Sequence, residues 1–196
     1  MIVLLTASCS SAILGLYGMK NAKPVQEADV LKTAQSYNIP LDDIYELKKE
    51  QLNYLFSLDS AKFASAIHDH YQPLQILYYD SNDSLISFHP NCYIGGFPNL
   101  QWNKNGKFDV FPPISSAPLD TILPLKKHLL FLQPYSTTKI FNRTDYDYVV
   151  VVYWSNHMGR QSKRLVEVVK NNLALAKSKK IKVIYVNNDN VESSNQ

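Results

Sequence analysis

A thiol and an imidazole are the side chains of this sequence best suited to nucleophilic or redox chemistry. Cys92 lies in a long segment rich in Pro, Asn, Gly and aromatic residues, and such a loop could fold over the C-terminal part of the chain. A thiolate paired with the imidazole of His157 or His89 would be reactive. A single cysteine is also common as a small, buried apolar residue. The sequence therefore gives Cys92 and His157 as candidate catalytic residues, with structural burial of Cys92 as the alternative.

Two histidines flank an aspartate in the run His68-Asp69-His70. On a β-strand, residues two apart point to the same face, so His68 and His70 could share a metal ion if His89 or Asp80 supplied a third ligand. The run also closes a predicted helix, where histidine near the C-terminus complements the helix dipole. We therefore predict neither a metal site nor a cofactor, and name His68 and His70 as the residues that a metal ion would use.

Basic residues concentrate near the C-terminus. Between Arg160 and Lys182 the chain has eight basic residues and one acidic residue, Glu167. Arg160, Lys163 and Arg164 begin this segment and could meet a periplasmic protein or another anionic partner. A solvated helix face is the alternative. The whole chain carries a net charge of only +3, which gives no indication of nucleic-acid binding.

The composition indicates one globular domain of moderate size. The chain has 196 residues, of which 45% are hydrophobic and 19% are charged. This hydrophobic content is enough to form a core, and it excludes disorder throughout the chain. The two cysteines cannot build a disulfide framework or an all-thiolate zinc site.

The N-terminus is typical of an exported protein. A short apolar run, Ile2–Leu5, is followed by small residues and then by Cys9. This order resembles a bacterial lipoprotein signal, which implies that Cys9 is lipidated and that a membrane holds the protein in the cell envelope, facing the periplasm or the cell surface. An ordinary signal or anchor, and no targeting segment at all, are the alternatives. We assign residues 1–19 to this signal or anchor region and 20–26 to a linker.

Residues 27–189 are predicted to form a single α/β domain, followed by a polar tail, 190–196. The N-terminal part of the domain is predicted to be helical. Apolar residues at helical spacing predict a first helix that ends before Pro40, and residues 41–58 repeat the helical pattern. A third helix is expected over 61–68.

Strands are predicted in the rest of the domain. Residues 74–79 and 85–88 are rich in β-formers and flank a turn, which predicts a hairpin. The continuous apolar run Tyr148–Trp154 is typical of a strand buried on both faces. An amphipathic helix over Ser162–Lys177 and a second apolar strand over Ile181–Val186 complete a strand–helix–strand unit, whose strands must pair in parallel. The expected fold class is α/β, with an N-terminal helical segment and a mixed sheet.

The strand–helix–strand segment, residues 146–189, resembles the thioredoxin-like fold. In that fold a buried strand ends in Trp, and a Cys-x-x-Cys turn follows at a helix N-terminus. Trp154 matches this Trp, and His157 matches the residue before the redox motif. The positions of Cys-Gly-Pro-Cys are occupied here by Met158, Gly159, Arg160 and Gln161. The resemblance therefore implies a thioredoxin-like βαβ unit that lacks both cysteines and cannot carry out dithiol exchange.

The predicted hairpin adds a second likeness, because thioredoxins also have a hairpin of this type after a Pro. In the family that hairpin follows the redox unit, whereas here it precedes it, so either the fold is permuted or the likeness is a coincidence. The whole chain is similar to uncharacterised lipoproteins of Bacteroides-type and flavobacterial bacteria, which implies an envelope location. We therefore expect a non-catalytic cell-envelope protein with a degenerate thioredoxin-like domain and a binding or structural role. The alternative is a thiol-dependent redox enzyme or sensor that uses Cys92.

Overall fold

A computed structural model of the chain describes residues 19–20, 23–136 and 141–192. Within these ranges, six α-helices and a six-stranded mixed sheet form the α/β fold that the sequence predicts. The helices are α1 (Glu27–Ser36), α2 (Glu50–Ser57), α3 (Ser60–His70), α4 (Leu125–Leu130), α5 (Gly159–Leu173) and α6 (Asp189–Glu192). The strands are β1 (Ile44–Leu47), β2 (Gln75–Tyr79), β3 (Leu85–Pro90), β4 (Leu132–Pro134), β5 (Tyr148–Trp154) and β6 (Ile181–Asn187).

The sheet has the strand order β3-β2-β5-β6-β1-β4. The three strands β5, β6 and β1 run parallel to one another. On one side of them, β2 runs antiparallel to β5 and forms a hairpin with β3. On the other side, β4 runs antiparallel to β1. Helix α5 connects the neighbouring parallel strands β5 and β6, so the start of α5 lies at the carboxyl ends of two central strands.

Apolar side chains fill both faces of the sheet. Along β5, Val151 and Tyr153 belong to a core that includes buried residues of α2 and α4. Val152 and Trp154, one residue further along in each case, belong to a second core with α1 and α5. Because successive residues of a strand point to opposite faces, a strand covered on both faces is apolar throughout. The molecule therefore has three layers, with helices on each side of the sheet.

The N-terminal part of the domain is less helical than predicted. Helix α1 is present, but within the segment 41–58 the residues Leu41–Asp43 form a 3₁₀ turn, Ile44–Leu47 form β1, and an α-helix covers only the second half. The buried residues Ile44 and Leu47 are three apart, a spacing that suits a helix as well as a short strand. This segment forms a strand because it pairs in parallel with β6.

Residues 190–192, which the sequence assigns to a polar tail, form part of helix α6. Val191 in α6 is only 4% exposed. The Asn190 side chain donates to Glu46 Oε1 at 2.7 Å and accepts a hydrogen bond from the Val25 backbone N–H at 3.2 Å. Short helix α6 therefore joins the N-terminal segment to β1.

The predicted signal region, including Cys9, lies outside the described residues except for Met19. Across the described ranges, no helix combines the length and the apolar character that a membrane crossing requires.

Candidate functional site

Polar residues gather where β5 and β6 end. β5 ends at Trp154 and its parallel neighbour β6 ends at Asn187. The residues that follow, Ser155–His157 and Asn188–Asp189, therefore come together at one edge of the sheet, beside the first turn of α5. In α/β folds, the carboxyl ends of parallel strands are a common place for ligands to bind.

The carboxylate of Asp189 organises this edge. Asp189 is completely buried. It accepts hydrogen bonds from Ser155 Oγ at 2.6 Å and from the backbone N–H of Asn156 at 3.0 Å. The side-chain amides of Asn156 and Asn187 add bonds at 2.9 and 2.8 Å. Four donors compensate a buried negative charge, and they fix the turn between β5 and α5.

His157 holds the segment through which the chain enters the domain. Its Nε2 atom lies 3.0 Å from the carbonyl oxygen of Lys23 and 3.3 Å from the backbone nitrogen of the same residue. The carbonyl oxygen of His157 accepts a hydrogen bond from the Lys20 backbone N–H at 2.8 Å. Nε2 also lies 3.6 Å from Asp189 Oδ1. Residues 20 and 23 of the predicted linker therefore lie against the start of α5.

Residues 158–161, which the resemblance aligns with a redox motif, lie at the start of α5. Met158 is the N-cap residue and packs against the core. Gly159 accepts a hydrogen bond from the Tyr37 hydroxyl at 2.8 Å through its carbonyl oxygen. Gln161 is completely buried and accepts the Leu100 backbone N–H at 2.9 Å. These side chains are used in packing and hydrogen bonding, and neither Met158 nor Gln161 can form a thiolate.

Buried aromatic and hydroxyl groups support the same turn. Trp154 is completely buried, and the Tyr37 ring meets it edge-on with 5.9 Å between the ring centroids. Burial, together with the charge of Asp189, raises the pKa of Tyr37 to about 12, so this phenol remains protonated at neutral pH. The Ser162 hydroxyl donates to the Ser155 carbonyl at 2.7 Å and accepts the Ser155 N–H at 3.1 Å. The hydroxyl in the first turn of α5 is therefore a structural link rather than a free nucleophile.

A cleft of about 610 Å³ opens between α1 and the start of α5. Lys20, Lys32 and His157 contribute to its lining, together with the acidic residue Asp29. Asn156 also lines the cleft, and its Oδ1 atom is buried without a hydrogen-bond partner among the described residues. Since the amide nitrogen of Asn156 is the atom bonded to Asp189, the unpaired atom is a true acceptor. The cleft thus has two lysines in its lining, and a residue of its wall carries an unsatisfied buried acceptor.

Cys92 lies in a different environment from the one predicted. It is exposed in the 3₁₀ turn Asn91–Tyr93, and its thiol donates to Asp69 Oδ1 at 3.7 Å. Partial burial of the sulfur, and next the charge of Asp69, raise the pKa of Cys92 to about 11. No hydrogen bond joins Cys92 to His157 within the described part of the chain, so the predicted catalytic pair is not assembled.

His89, the other predicted imidazole partner of Cys92, belongs to a buried hydroxyl network. Its ring nitrogens lie 2.8 Å from Ser87 Oγ and 2.9 Å from Ser116 Oγ. Burial, and then the charge of Lys107, lower the pKa of His89 to about 3. His89 is therefore a neutral core residue at physiological pH.

The two histidines named as candidate metal ligands have different partners. They lie on helix α3, not on a strand, so residues two apart do not share a face. The Nε2 atom of buried His70 lies 3.0 Å from Asp120 Oδ2. His68 Nδ1 lies 3.2 Å from Asp69 Oδ1, and its side chain is 64% exposed. A metal site shared by His68 and His70 is therefore excluded by this geometry.

The basic residues predicted to face an anionic partner are spread along α5. Arg160 is exposed in the first turn, whereas Lys163 lies 4.0 Å from Glu167 Oε1. Arg164 lines a second cleft, of about 590 Å³, together with Trp102. Arg160 is thus the member of this group in the turn that borders the first cleft.

Sequence reasoning missed Asp189 and its asparagine neighbours. Their signal is the polar run Asn187-Asn188-Asp189 directly after a buried apolar strand. A second polar run, Ser155–His157, follows the preceding buried strand. Because the carboxyl ends of adjacent parallel strands meet at one edge, two such runs predict a shared polar site.

Comparisons of the chain with protein-family models, with curated proteins and with solved structures give no match. The function is therefore inferred from the chemistry of the site.

Proposed function

We propose that this chain is a non-catalytic cell-envelope protein that binds an acidic peptide segment in the cleft between α1 and the start of α5. The observation that carries the proposal is the lining of this cleft. Its lining includes the cations of Lys20 and Lys32, the imidazole of His157 and one acidic residue, Asp29, next to the N-terminus of the 15-residue helix α5. Helix N-termini carry a partial positive charge and favour anionic groups. The volume of about 610 Å³ is in the range of ligand clefts, roughly 300–1,000 Å³.

The unpaired oxygen of Asn156 favours a peptide over a simple anion. A carboxylate anion offers no donor for this buried acceptor, whereas a peptide brings backbone N–H groups as well as acidic side chains. The chain itself already places main-chain atoms beside the site, since Lys20 and Lys23 bond to His157 through their backbone. An acidic peptide would satisfy both the cations and the unpaired acceptor.

The scaffold in this proposal is a permuted thioredoxin-like domain. In support, β5 ends in buried Trp154, a short turn leads into α5, and β6 returns parallel to β5. The hairpin β2–β3 lies directly beside β5. The hairpin and the strand–helix–strand unit are thus neighbours in one sheet. Along the chain the hairpin comes first, whereas in thioredoxins it follows the redox unit.

The loss of dithiol chemistry is the reason for proposing a binding role. Met158 and Gln161 stand where the redox cysteines would be expected, and Gln161 is buried against Leu100. Met158 cannot supply an attacking thiolate, and Gln161 cannot resolve a mixed disulfide. The surface beside the helix N-terminus is then left with binding chemistry only.

The envelope location is proposed from the likeness of the N-terminus to a lipoprotein signal, with lipid on Cys9. The described chain begins to contact the domain at Lys20, whose side chain lines the cleft. A lipid anchor upstream of this point would hold the domain by the same end that carries the cleft. A partner on the membrane or in the adjacent periplasm would then be within reach.

The alternative, a redox enzyme or sensor based on Cys92, receives less support from the environment of the thiol. The hydrogen-bond partner of the sulfur is the Asp69 carboxylate, and a neighbouring negative charge disfavours the thiolate. Reactive cysteines lie in electropositive surroundings instead.

Calorimetric titration of the full chain with an acetylated triglutamate peptide tests the proposal. We expect saturable binding that weakens as salt is added, because the attraction is between charges. Lys32→Glu should weaken binding by about tenfold, since it reverses a charge in the cleft lining. Lys179→Glu is the matched control, because Lys179 is an exposed lysine in the turn before β6, and its replacement should leave the affinity unchanged.

Two results would contradict the proposal. One is equal binding of a triglutamine peptide, because the cations would then play no part. The other is an equal loss of affinity in the Lys32 and Lys179 variants, because the peptide would then respond only to the overall charge of the protein.

A further inference from the structure

Three side chains that ligate metals come together at the end of α3. They are contributed by His68 and Asp69, in the last turn of the helix, and by Cys92, in the 3₁₀ turn after β3. His68 Nδ1 lies 3.2 Å from Asp69 Oδ1, and Cys92 Sγ lies 3.7 Å from the same oxygen. All three ligand atoms lie within 4.8 Å of one another. None of these residues lines the cleft beside α5.

The separations suit a tetrahedral zinc ion. Zinc binds thiolate sulfur at about 2.3 Å and imidazole nitrogen or carboxylate oxygen at about 2.0–2.2 Å. In a tetrahedron these bond lengths place neighbouring ligand atoms about 3.4–3.6 Å apart. The two measured edges, 3.2 and 3.7 Å, each lie close to that range. The third edge, from His68 to Cys92, is at most 4.8 Å, a distance that a small rotation of the exposed imidazole can shorten.

Asp69 is a buried carboxylate without a permanent cation. The Asp69 side chain is only 5% exposed. His68 is its one ion-pair partner in the described part of the chain, and the Cys92 thiol is a neutral donor. Removing a carboxylate from water is costly unless a positive charge compensates it. A divalent cation held between these three groups would supply that charge.

Amide side chains lie next to two of the three ligands. Asn91, next to Cys92, accepts the Leu74 N–H at 3.1 Å and donates to Gln72 Oε1 at 3.1 Å. Gln72 Nε2 in turn lies 3.2 Å from Nε2 of His68, the ring nitrogen that faces away from Asp69. The Gln72 amide nitrogen is a donor, whereas a histidine that binds metal through Nδ1 carries its proton on Nε2 and needs an acceptor opposite it. Metal binding at Nδ1 therefore requires the Gln72 amide to turn. The side chain of Gln72 is thus positioned to influence which nitrogen of His68 carries the proton, and so whether Nδ1 is free to bind a metal ion.

We propose that His68, Asp69 and Cys92 form an exchangeable zinc site with one coordination position open to solvent. On binding, the Cys92 thiol loses its proton to water and its sulfur bonds to the metal as thiolate. His68 binds through Nδ1 and carries its proton on Nε2, and Asp69 binds as the carboxylate. No electrons are transferred. Since His68 and Cys92 are both exposed, the fourth position faces water and can take a solvent molecule or an external ligand.

Cobalt and zinc titrations of the full chain test this site. Cys9→Ser is present throughout, so that Cys92 is the one thiol. We expect one Co²⁺ per chain, a thiolate-to-cobalt charge-transfer absorption, and displacement of cobalt by Zn²⁺. Cys92→Ser should abolish the charge-transfer absorption and weaken zinc binding by about a hundredfold or more, beyond the loss typical of an outer-shell change. Lys62→Gln, an exposed change on the same helix, is the control and should have no effect.

A gain of affinity provides a test that loss of folding cannot imitate. Gln72→Glu places a carboxylate acceptor opposite Nε2 of His68, which must carry the proton when Nδ1 binds metal. This variant should bind zinc about tenfold more tightly, the size of effect that outer-shell partners have in metal sites. The proposal is overturned if cobalt binds without a thiolate band, if Cys92→Ser leaves zinc affinity unchanged, or if no metal binds. None of these outcomes depends on the peptide cleft.

Discussion

The surroundings of Cys92 predict a thiol that alkylates slowly at neutral pH and that becomes faster in Asp69→Asn. Partial burial of the sulfur raises the pKa of Cys92 to about 11. The Asp69 carboxylate adds to the shift through its charge and by accepting the S–H hydrogen. Both effects favour the protonated thiol, which is a poor nucleophile.

The size of the effect follows from the thiolate population. A rise in the pKa of Cys92 from 9.0 to about 11 lowers the thiolate fraction at neutral pH by about a hundredfold. A more basic thiolate is also more nucleophilic. With a Brønsted coefficient of about 0.4–0.5, the rate constant of the thiolate itself increases about six- to tenfold, which partly offsets its lower population. Alkylation of Cys92 should therefore be about tenfold slower than that of an unperturbed cysteine, and should still rise with pH above about pH 9.

The assay is iodoacetamide alkylation of the full chain carrying Cys9→Ser, followed by mass spectrometry from about pH 6 to about pH 10. A chelator keeps metal ions from protecting Cys92. Asp69→Asn removes the negative charge and keeps the side-chain size, so the neutral-pH rate should increase several-fold. Asp145→Asn neutralises an exposed carboxylate on another turn and should leave the rate unchanged.

The reasoning is refuted if Cys92 already reacts at its full rate near neutral pH. A rate plateau there would mean a stabilised thiolate, and a further loss of that rate in His157→Ala would favour the thiol-dependent alternative. Equal rates in the wild type and in Asp69→Asn would mean that the carboxylate has no influence on the thiol.

Three further predictions concern stability, each measured by urea unfolding. Asp189→Ala leaves four donors without their acceptor and should lower the free energy of unfolding by about 3–5 kcal/mol; a loss below about 1 kcal/mol would contradict the role of this carboxylate. Tyr153→Phe removes the hydroxyl bonded to Gln51 and His128 and should cost about 1–3 kcal/mol, whereas no change would mean that the network is unimportant. Burial lowers the pKa of His128 and of His89 to about 3, so the unfolded chain, with pKa near 6.5, binds more protons as the pH falls. Stability should therefore be lost between pH 6.5 and about 3, by up to about 1.4 kcal/mol per pH unit for each histidine, and a flat profile would contradict this burial.

The central strands could be predicted because their burial determines their composition. The apolar run Tyr148–Trp154 coincides with β5, and Ile181–Val186 falls within β6. Both strands are covered on two faces, so nearly every side chain is apolar and turn residues define the ends. The amphipathic pattern of α5 has the same origin, because one face of that helix packs on the sheet.

The edge of the sheet could not be predicted in the same way. β1 has four residues and β4 has three, too few for a period of two to be distinguished from a helical spacing. β1 becomes a strand because β6 lies next to it, and β4 because β1 does. These pairings join distant parts of the chain and leave no local signal.

In the candidate sites too, features set by consecutive residues could be predicted, and features set by contacts between distant parts of the chain could not. The start of α5 was predicted at Ser162, three residues after its position at Gly159, because the buried strand, the turn and the helix are consecutive in sequence. The contact of Cys92 with Asp69 could not, because it depends on how the end of α3 packs against the turn after β3. Helical geometry in α3 also places His68 and His70 on different faces, whereas a strand would have placed both side chains on the same face.

The most direct test of the proposed function is to map the binding surface by backbone amide NMR, titrating the full chain with the acetylated triglutamate peptide. The proposal predicts that the largest shifts lie in Asn156–Ser162 and around Lys32 in α1, and that Lys32→Glu removes them. Shifts centred on the second cleft, around Trp102 and Arg164, or no shifts at peptide concentrations that saturate the calorimetric signal, would contradict a binding site at the start of α5.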